Sequence, residues 1–110
     1  MEQRLTLVTL GVADLKRARE FYEKCLGWKV SKASEGDIVF FQLRGIALGL
    51  YPRKLLAKDA MVKPRGRGFS GVTLAHNVRK KSDVAKFLKR AALGGAVILK
   101  PAQIIVLPAN

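Results

Sequence analysis

Apolar and polar residues alternate along residues 4–12 with the two-residue period of a β-strand. The next segment changes to the spacing of an amphipathic helix, and Asp14 stands where a helix N-cap is expected. The apolar stripe of this helix consists of Leu15, Ala18, Phe21, Tyr22 and Cys25. Gly27 follows the stripe and is typical of the left-handed residue that ends a helix. The chain is therefore predicted to begin with a strand and a helix.

Three further strands are predicted before the end of this first module, at residues 28–33, 38–43 and 46–51. The second half of the chain then repeats the markers of the first: Val8-Thr9-Leu10 returns as Val72-Thr73-Leu74, and Leu26-Gly27 returns as Leu93-Gly94. Repetition of this kind indicates two similar units that pack on each other. The repeat predicts a strand at 71–78, a helix capped by Ser82, and a strand at 96–99. Only residues 102–110 then remain, which is room for one short strand.

We predict an α+β fold of two βαβββ-type modules, the second truncated, in one compact domain. The first module covers residues 1–52, a linker covers 53–70, and the second, incomplete module covers 71–110. The linker begins with a short predicted helix at 55–60. The modules are expected to form a curved mixed sheet or partial barrel with the helices on the outside.

Composition narrows the class of protein. The chain has 110 residues, and its apolar runs are strand-sized rather than long enough to cross a membrane. The N-terminus lacks a charged-then-apolar signal pattern. Cys25 is the single cysteine, which excludes an internal disulfide and suits a reducing compartment. We therefore expect a cytoplasmic protein with no membrane association.

The net charge of +13 is unevenly placed, at +2 for residues 1–51 and +11 for residues 52–110. Clustered Lys and Arg suggest contact with nucleic acid. However, the sequence has no RNA-binding signature, zinc finger or helix-turn-helix, and no aromatic residues interleave with the basic ones. We favour a solvated or anion-steering surface and keep a nucleic-acid-associated protein as a lesser alternative.

Two segments resemble the vicinal oxygen chelate superfamily, the group of glyoxalase I, bleomycin-resistance proteins and extradiol dioxygenases. They are LVTLGVADLKRAREFYEKCLGWKV, at residues 7–30, and GVTLAHNV, at residues 71–78. The resemblance covers residues 4–103. The closing Gly-aromatic hairpin, Asp-Pro-Asp-Gly turn and final strand of the family are missing, so the chain looks like a C-terminally incomplete member.

Enzymes of that superfamily bind a divalent metal through one side chain at each of four inward-facing positions. The resemblance places the first three of these at Leu7, Gly49 and Gly71, and the fourth in the closing strand that this chain lacks. Leu and Gly side chains offer no donor atom to a metal ion. We therefore predict no metal, no cofactor and no catalytic residues. A metal-dependent lyase or dioxygenase of the same superfamily is the alternative.

The inward positions are mostly apolar or small, and this predicts a groove for a ligand. The residues predicted to bind it are Leu7, Thr9, Gly49, Tyr51, Gly71 and Thr73. We expect a neutral or anionic, largely apolar organic ligand, with Thr9 or Thr73 donating a hydrogen bond. Bleomycin fits poorly, because it is cationic and the protein would repel it. The other interpretation is that the small residues let the strands of the two modules pack closely, with no groove at all.

Two further expectations concern His76 and the unfinished sheet. Strand parity groups His76 with Val72 and Leu74, so its side chain is expected to face the helix layer or the strand end. The incomplete second module leaves an unpaired sheet edge. We therefore expect a homodimer, with exchanged modules as one arrangement.

Overall fold

The computed structural model describes residues 1–66 and 68–99. Within them, three α-helices and one three-stranded sheet give an α+β structure. The elements are β1 (Leu7–Val12), α1 (Leu15–Glu20), a π-helical segment (Phe21–Cys25), β2 (Val39–Gln42), β3 (Ala47–Pro52), α2 (Arg53–Asp59) and α3 (Lys81–Leu93). The chain divides into two compact units, Met1–Val72 and Thr73–Asn110. No helix in the described ranges is both long and apolar enough to cross a membrane.

The predicted N-cap of the first helix is confirmed. Asp14 has extended backbone angles, and its Oδ1 accepts a hydrogen bond of 3.1 Å from the backbone N–H of Arg17. This bond satisfies one of the amide hydrogens that a first helical turn leaves without a partner. A local sequence signal is thus sufficient to place the start of α1.

The helix ends where the glycine predicts. The π-helical segment continues α1, and the backbone N–H of Leu26 donates to the carbonyl of Phe21 at 3.0 Å. Gly27 has a φ of 75°, a left-handed angle that residues with a side chain rarely adopt. The chain then turns, so that the N–H of Trp28 donates to the carbonyl of Tyr22 at 2.9 Å.

The sheet has the strand order β1-β3-β2. β1 runs parallel to β3, with Val8 opposite Leu48 and Leu10 opposite Leu50. β2 runs antiparallel to β3, with Phe41 opposite Leu48. Since β1 and β3 are separated in the chain by α1 and β2, the helix forms the crossover that a parallel pair requires.

The strand predicted at 28–33 is wrong. Only one isolated bridge forms there, between Val30 and Phe41. Two serines explain the difference, because their hydroxyls take up backbone N–H groups that a strand would pair: Ser31 Oγ accepts from the N–H of Ala33, and Ser34 Oγ accepts from the N–H of Phe40. The first module is therefore βαββ with a bridge in place of its second strand.

The hydrophobic core lies between α1 and one face of the sheet. Its buried residues are Val39, Phe41, Leu48 and Leu50. Aromatic rings close the core, with the Tyr22 centroid 5.3 Å from that of Trp28 and 5.7 Å from that of Phe41. Burial raises the pKa of the Tyr22 hydroxyl above its ordinary value of 10.0. Each fully buried Leu or Phe contributes about 1.5–3 kcal/mol through removal of apolar surface from water.

The short helix predicted at 55–60 is confirmed as α2. Arg53 at its start reaches along the following loop, and its Nη2 donates to the carbonyl of Arg65 at 3.0 Å. Ala57 is buried. The loop is therefore held against α2 by side-chain hydrogen bonds from Arg53 to the carbonyls of Arg65 and Gly66.

The second unit contains α3. The predicted cap at Ser82 is wrong, because the helix already begins at Lys81, with Lys80 at the N-cap position and no side-chain cap. Its end is as predicted, since Gly94 donates its N–H to the carbonyl of Arg90 at 3.2 Å. Ala91 is the buried residue of this helix.

The strands predicted at 71–78 and 96–99 are also wrong, since residues 71–78 and 96–99 belong to no strand. The physical reason is that an extended segment becomes a strand by hydrogen bonding to a neighbouring one. Neither segment has such a neighbour among the described residues. The short strand predicted at 102–110 lies outside the described residues, and the arrangement of two modules, the second truncated, in a curved sheet or partial barrel stays a prediction.

Candidate functional site

The first four predicted ligand-binding residues share one face of the sheet, opposite α1. The register pairs Leu7 with Ala47, Thr9 with Gly49, and Gly11 with Tyr51. Paired residues on neighbouring strands point to the same side of a sheet. We call this side the open face. Its residues are Leu7, Thr9, Gly11, Phe40, Gln42, Ala47, Gly49 and Tyr51.

Gly49 does not leave the empty space that the sequence suggests. A Cβ at this position would lie 3.2 Å from Phe40 Cε1 and 3.2 Å from Thr9 Oγ1. Both distances are shorter than an ordinary van der Waals contact. The aromatic ring beside Gly49 therefore occupies the expected volume, so the small residue permits close packing within one sheet. Close packing between strands of the two modules stays a prediction.

Gly11 has a similar role at one end of the open face. A Cβ there would lie 3.2 Å from Arg53 Cα and 3.2 Å from Leu56 Cδ2. The missing side chain thus lets α2 approach β1 closely. The part of the open face that remains beyond α2 runs from Leu7, which is 43% exposed, to the half-buried Thr9 and Phe40.

Phe40 also lies on the open face, although the sequence did not predict it among the ligand-binding residues. The period of two along β2 gives the signal, since Phe41 enters the core and its neighbour must face the other way. The alternation along one strand does not specify the register between strands, which places Phe40 opposite Gly49. The open face is therefore lined by an aromatic ring, a leucine and the hydroxyls of Thr9 and Tyr51.

The remaining two predicted site residues do not join this face by strand pairing. Gly71 is exposed in a bend of the first unit, with a φ of 83° and nothing within 4 Å of its Cβ position. Thr73 belongs to the second unit, where it is exposed and outside any strand. Their assignment to a ligand site stays a prediction.

His76 lies against a helix, as expected, although the strand whose parity gave this expectation does not form. Its ring stacks on that of Phe87 in α3, with centroids 5.1 Å apart and an angle of 22° between the planes. The stacking partner was not foreseen, although Phe87 belongs to the apolar stripe of α3 and His76 to the preceding segment.

Metal binding is tested by the donor atoms present. No group of three or more His, Cys, Asp or Glu side chains able to hold a metal ion occurs in the described ranges 1–66 and 68–99. Residue 67 and residues 100–110 contain none of these four residue types. On the open face, Leu7 and Gly49 stand at two positions that would have to supply nitrogen or oxygen. These side chains do not fit a metal site.

A family model described as the Glyoxalase/Bleomycin resistance protein/Dioxygenase superfamily matches residues 4–103. The chain belongs to this superfamily. A glyoxalase-related enzyme from Fulvimarina pelagi, known from its crystal structure, shares 32% sequence identity with this glyoxalase-superfamily chain. It superposes with a TM-score of 0.82 over 91% of this chain and 70% of the other.

Two more distant structures share the fold of this superfamily member. A glyoxalase/bleomycin resistance protein/dioxygenase from Nocardioides is 22% identical, with a TM-score of 0.69 over 92% of this chain and 68% of that one. The lactoylglutathione lyase from Agrobacterium tumefaciens is 20% identical, with a TM-score of 0.64 over 91% and 76%. No curated protein matches the chain.

Proposed function

We propose that this member of the glyoxalase superfamily binds a neutral or anionic, largely apolar organic ligand on its open face without a metal ion. The observation that carries the proposal is the pair Gly49 and Phe40. A residue without a side chain stands where the family supplies a metal ligand, and an aromatic ring packs 3.2 Å from its Cβ position. Such a surface favours contact with an apolar molecule over coordination of a cation.

Charge supports the choice of a neutral or anionic ligand. The net charge is +13, and α2, which borders the open face at Gly11, begins with Arg53 and Lys54. A field of this sign attracts anions and repels cations. The hydroxyl of Thr9 is the group on this face that would donate a hydrogen bond to the ligand.

A metal-dependent lyase or dioxygenase is the second candidate, favoured by the 32% identity to the glyoxalase-related enzyme from Fulvimarina pelagi. The two candidates differ in metal content. We expect less than one equivalent of zinc, iron, nickel or manganese after incubation with each ion and removal of excess. One equivalent bound by the protein, and lost on replacement of residues in the first unit, would favour the enzyme.

Ligand binding is tested with anilinonaphthalene sulfonate, an anionic aromatic dye whose fluorescence rises in apolar surroundings. Leu7→Glu places a negative charge on the open face and should weaken dye binding about fivefold, the effect of about 1 kcal/mol of repulsion in high dielectric. Leu5→Glu is the matched control, because Leu5 is 70% exposed and precedes β1. Equal loss in both variants would contradict binding at the open face.

We also propose that the protein forms a homodimer in which the partner completes the second module, with module exchange as one arrangement. The exposed apolar residues Val72 and Leu74, in a segment that belongs to no strand, support this proposal. Light scattering at micromolar concentration should give twice the mass of one chain. A monomer at that concentration would contradict it.

We further propose a cytoplasmic location, which the single cysteine supports, because a chain with one cysteine forms no internal disulfide.

A further inference from the structure

The second unit contains a groove lined by residues of that unit. Its walls are residues 76–79 on one side and one face of α3 on the other, and it has a volume of about 380 Å³. The groove is open to solvent along its length. Its volume lies near the lower end of the range of about 300–1,000 Å³ that is usual for small-molecule sites.

The floor of the groove carries an aromatic pair. The rings of His76 and Phe87 are close to parallel, with 22° between their planes and 5.1 Å between their centroids. His76 is exposed and Phe87 is half-buried. Because the two rings are stacked on each other, the outer face of the exposed His76 ring is the surface on which another flat ring can stack.

The rim of the groove is cationic. Arg79, Lys86 and Arg90 line it together with the single acidic residue Asp83. Lys86 and Arg90 are four residues apart on α3 and therefore lie on the same side of the helix. Over residues 73–99 the sequence has six basic residues and one acidic residue, which gives a net charge of +5. This arrangement is complementary to a phosphate group, which Arg and Lys bind by charge-assisted hydrogen bonds.

We propose that this groove binds a nucleotide, with the base stacked at His76 and Phe87 and the phosphate held by Arg79, Lys86 and Arg90. The combination is what favours a nucleotide over a simple anion, because an anion alone would gain nothing from the aromatic pair. A neutral aromatic compound, in turn, would gain nothing from three cations. Phe87 stands between Lys86 and Lys89, so the expectation that no aromatic residue lies among the basic ones is wrong here. Aromatic side chains along a positive groove are the common means of binding single-stranded nucleic acid without sequence preference.

The same chemistry has two sources, a free mononucleotide and a nucleotide within a single-stranded nucleic acid. Both are tested with the full chain by fluorescence anisotropy, using labelled adenosine monophosphate in one arm and labelled oligothymidylate in the other. Binding of the mononucleotide assigns the groove to a free nucleotide, and binding of the oligonucleotide alone assigns it to single strands. Binding of neither overturns the proposal.

Lys86→Ala and Lys89→Ala form a matched pair for the phosphate contact. Both remove one positive charge from α3, but Lys89 does not line the groove. Lys86→Ala should weaken binding about tenfold, the loss expected for one charged hydrogen bond. Lys89→Ala should have less than about a third of that effect in free energy, through the general field alone. Equal losses would mean that the anion contacts the basic surface at large, and would overturn the proposed site.

His76→Ala tests the stacking contact. It should weaken nucleotide binding about tenfold, within the range measured for loss of one aromatic contact to a base. Its affinity for inorganic phosphate, measured by competition, should not change. Unchanged nucleotide affinity would show that the base does not stack on His76 and would overturn the proposal.

Nile red, a neutral apolar dye without an anionic group, keeps the two proposals apart. Lys86→Ala should retain the binding of Nile red, whereas Leu7→Glu should weaken it by placing a charge on the apolar open face and should retain nucleotide binding. Helicity measured by circular dichroism confirms that each variant is folded. Loss of both Nile red and nucleotide binding in Lys86→Ala would show one shared site and contradict a nucleotide groove of its own.

Discussion

The two halves of the chain carry the same sequence signals but differ in the structure that these signals form. Val8-Thr9-Leu10 lies within a strand, whereas Val72-Thr73-Leu74 lies in none. Both triplets have the same intrinsic preference for extended structure. The difference is that β1 pairs with β3 along its full length, from Leu7 opposite Ala47 to Val12 opposite Pro52. The triplet therefore supplies the preference for extended structure, and a neighbouring strand supplies the hydrogen bonds that make it a β-strand.

The helices of the two units differ in the same way. In the first unit, α1 packs on a sheet whose central strand, β3, contains the fully buried Leu50. In the second unit the described helix buries Ala91, while Leu93 near its end is 82% exposed. Since tertiary packing supplies most of the stability of a helix in a protein, the first unit should carry most of the stability of the chain.

The largest expected effect comes from making the same substitution in both units. Leu50→Ala should lower the free energy of unfolding by about 2–5 kcal/mol, because it creates a cavity in the core. Leu93→Ala should change it by less than about 0.5 kcal/mol, as is usual for exposed positions. Urea unfolding followed by circular dichroism measures both. Similar losses in the two variants would mean that the second unit has a core of its own.

A smaller effect is expected from filling the position beside Phe40. Gly49→Val should destabilise the protein by about 1–3 kcal/mol, because the added carbons overpack the ring and the Thr9 hydroxyl. In a double-mutant cycle with Phe40→Ala, the second substitution should relieve about 1 kcal/mol of this strain. Additive losses would show that the ring does not limit the space at Gly49.

Local signals account for the parts of the fold that the sequence could predict. The cap at Asp14, the left-handed Gly27 and the short helix α2 each depend on residues within a few positions of each other. Alternation likewise placed β1 and β3 and brought Leu7, Thr9, Gly49 and Tyr51 to one face. Membership of the superfamily could be predicted because the opening segment combines these local signals in one order.

Competing side-chain hydrogen bonds and contacts between distant residues account for the rest. The bridge at Val30 replaces a strand because serine hydroxyls compete for backbone N–H groups, which period alone does not reveal. The ring of Phe40 fills the space beside Gly49 through a register that no single strand specifies. The stacked rings of His76 and Phe87 required a turn between residues 78 and 81 whose geometry the sequence did not give.

The two helix starts give the third test of the comparison. Asp14→Ala should cost about 1 kcal/mol, since it removes the hydrogen bond to the N–H of Arg17. Ser82→Ala should change stability by less than about 0.5 kcal/mol, because Ser82 lies inside α3 and does not cap it. Chemical denaturation of the two variants measures the difference. A larger loss for Ser82→Ala would place the start of α3 at Ser82 after all.

The smallest effect is expected from the Tyr22 hydroxyl at alkaline pH. Because burial raises the pKa of Tyr22 in the folded protein, its contribution to stability is fully present below the unfolded pKa of about 10 and is lost as pH rises through the folded value. Tyr22→Phe removes this titration, so its thermal midpoint should fall less than that of the parent between about pH 9 and 11. Tyr51→Phe is the control, because it removes the other tyrosine, which lies on the open face rather than in the core, and it should follow the parent. If the thermal midpoint of Tyr22→Phe falls in parallel with that of the parent over this interval, ionisation of Tyr22 is not the cause of the loss of stability at high pH.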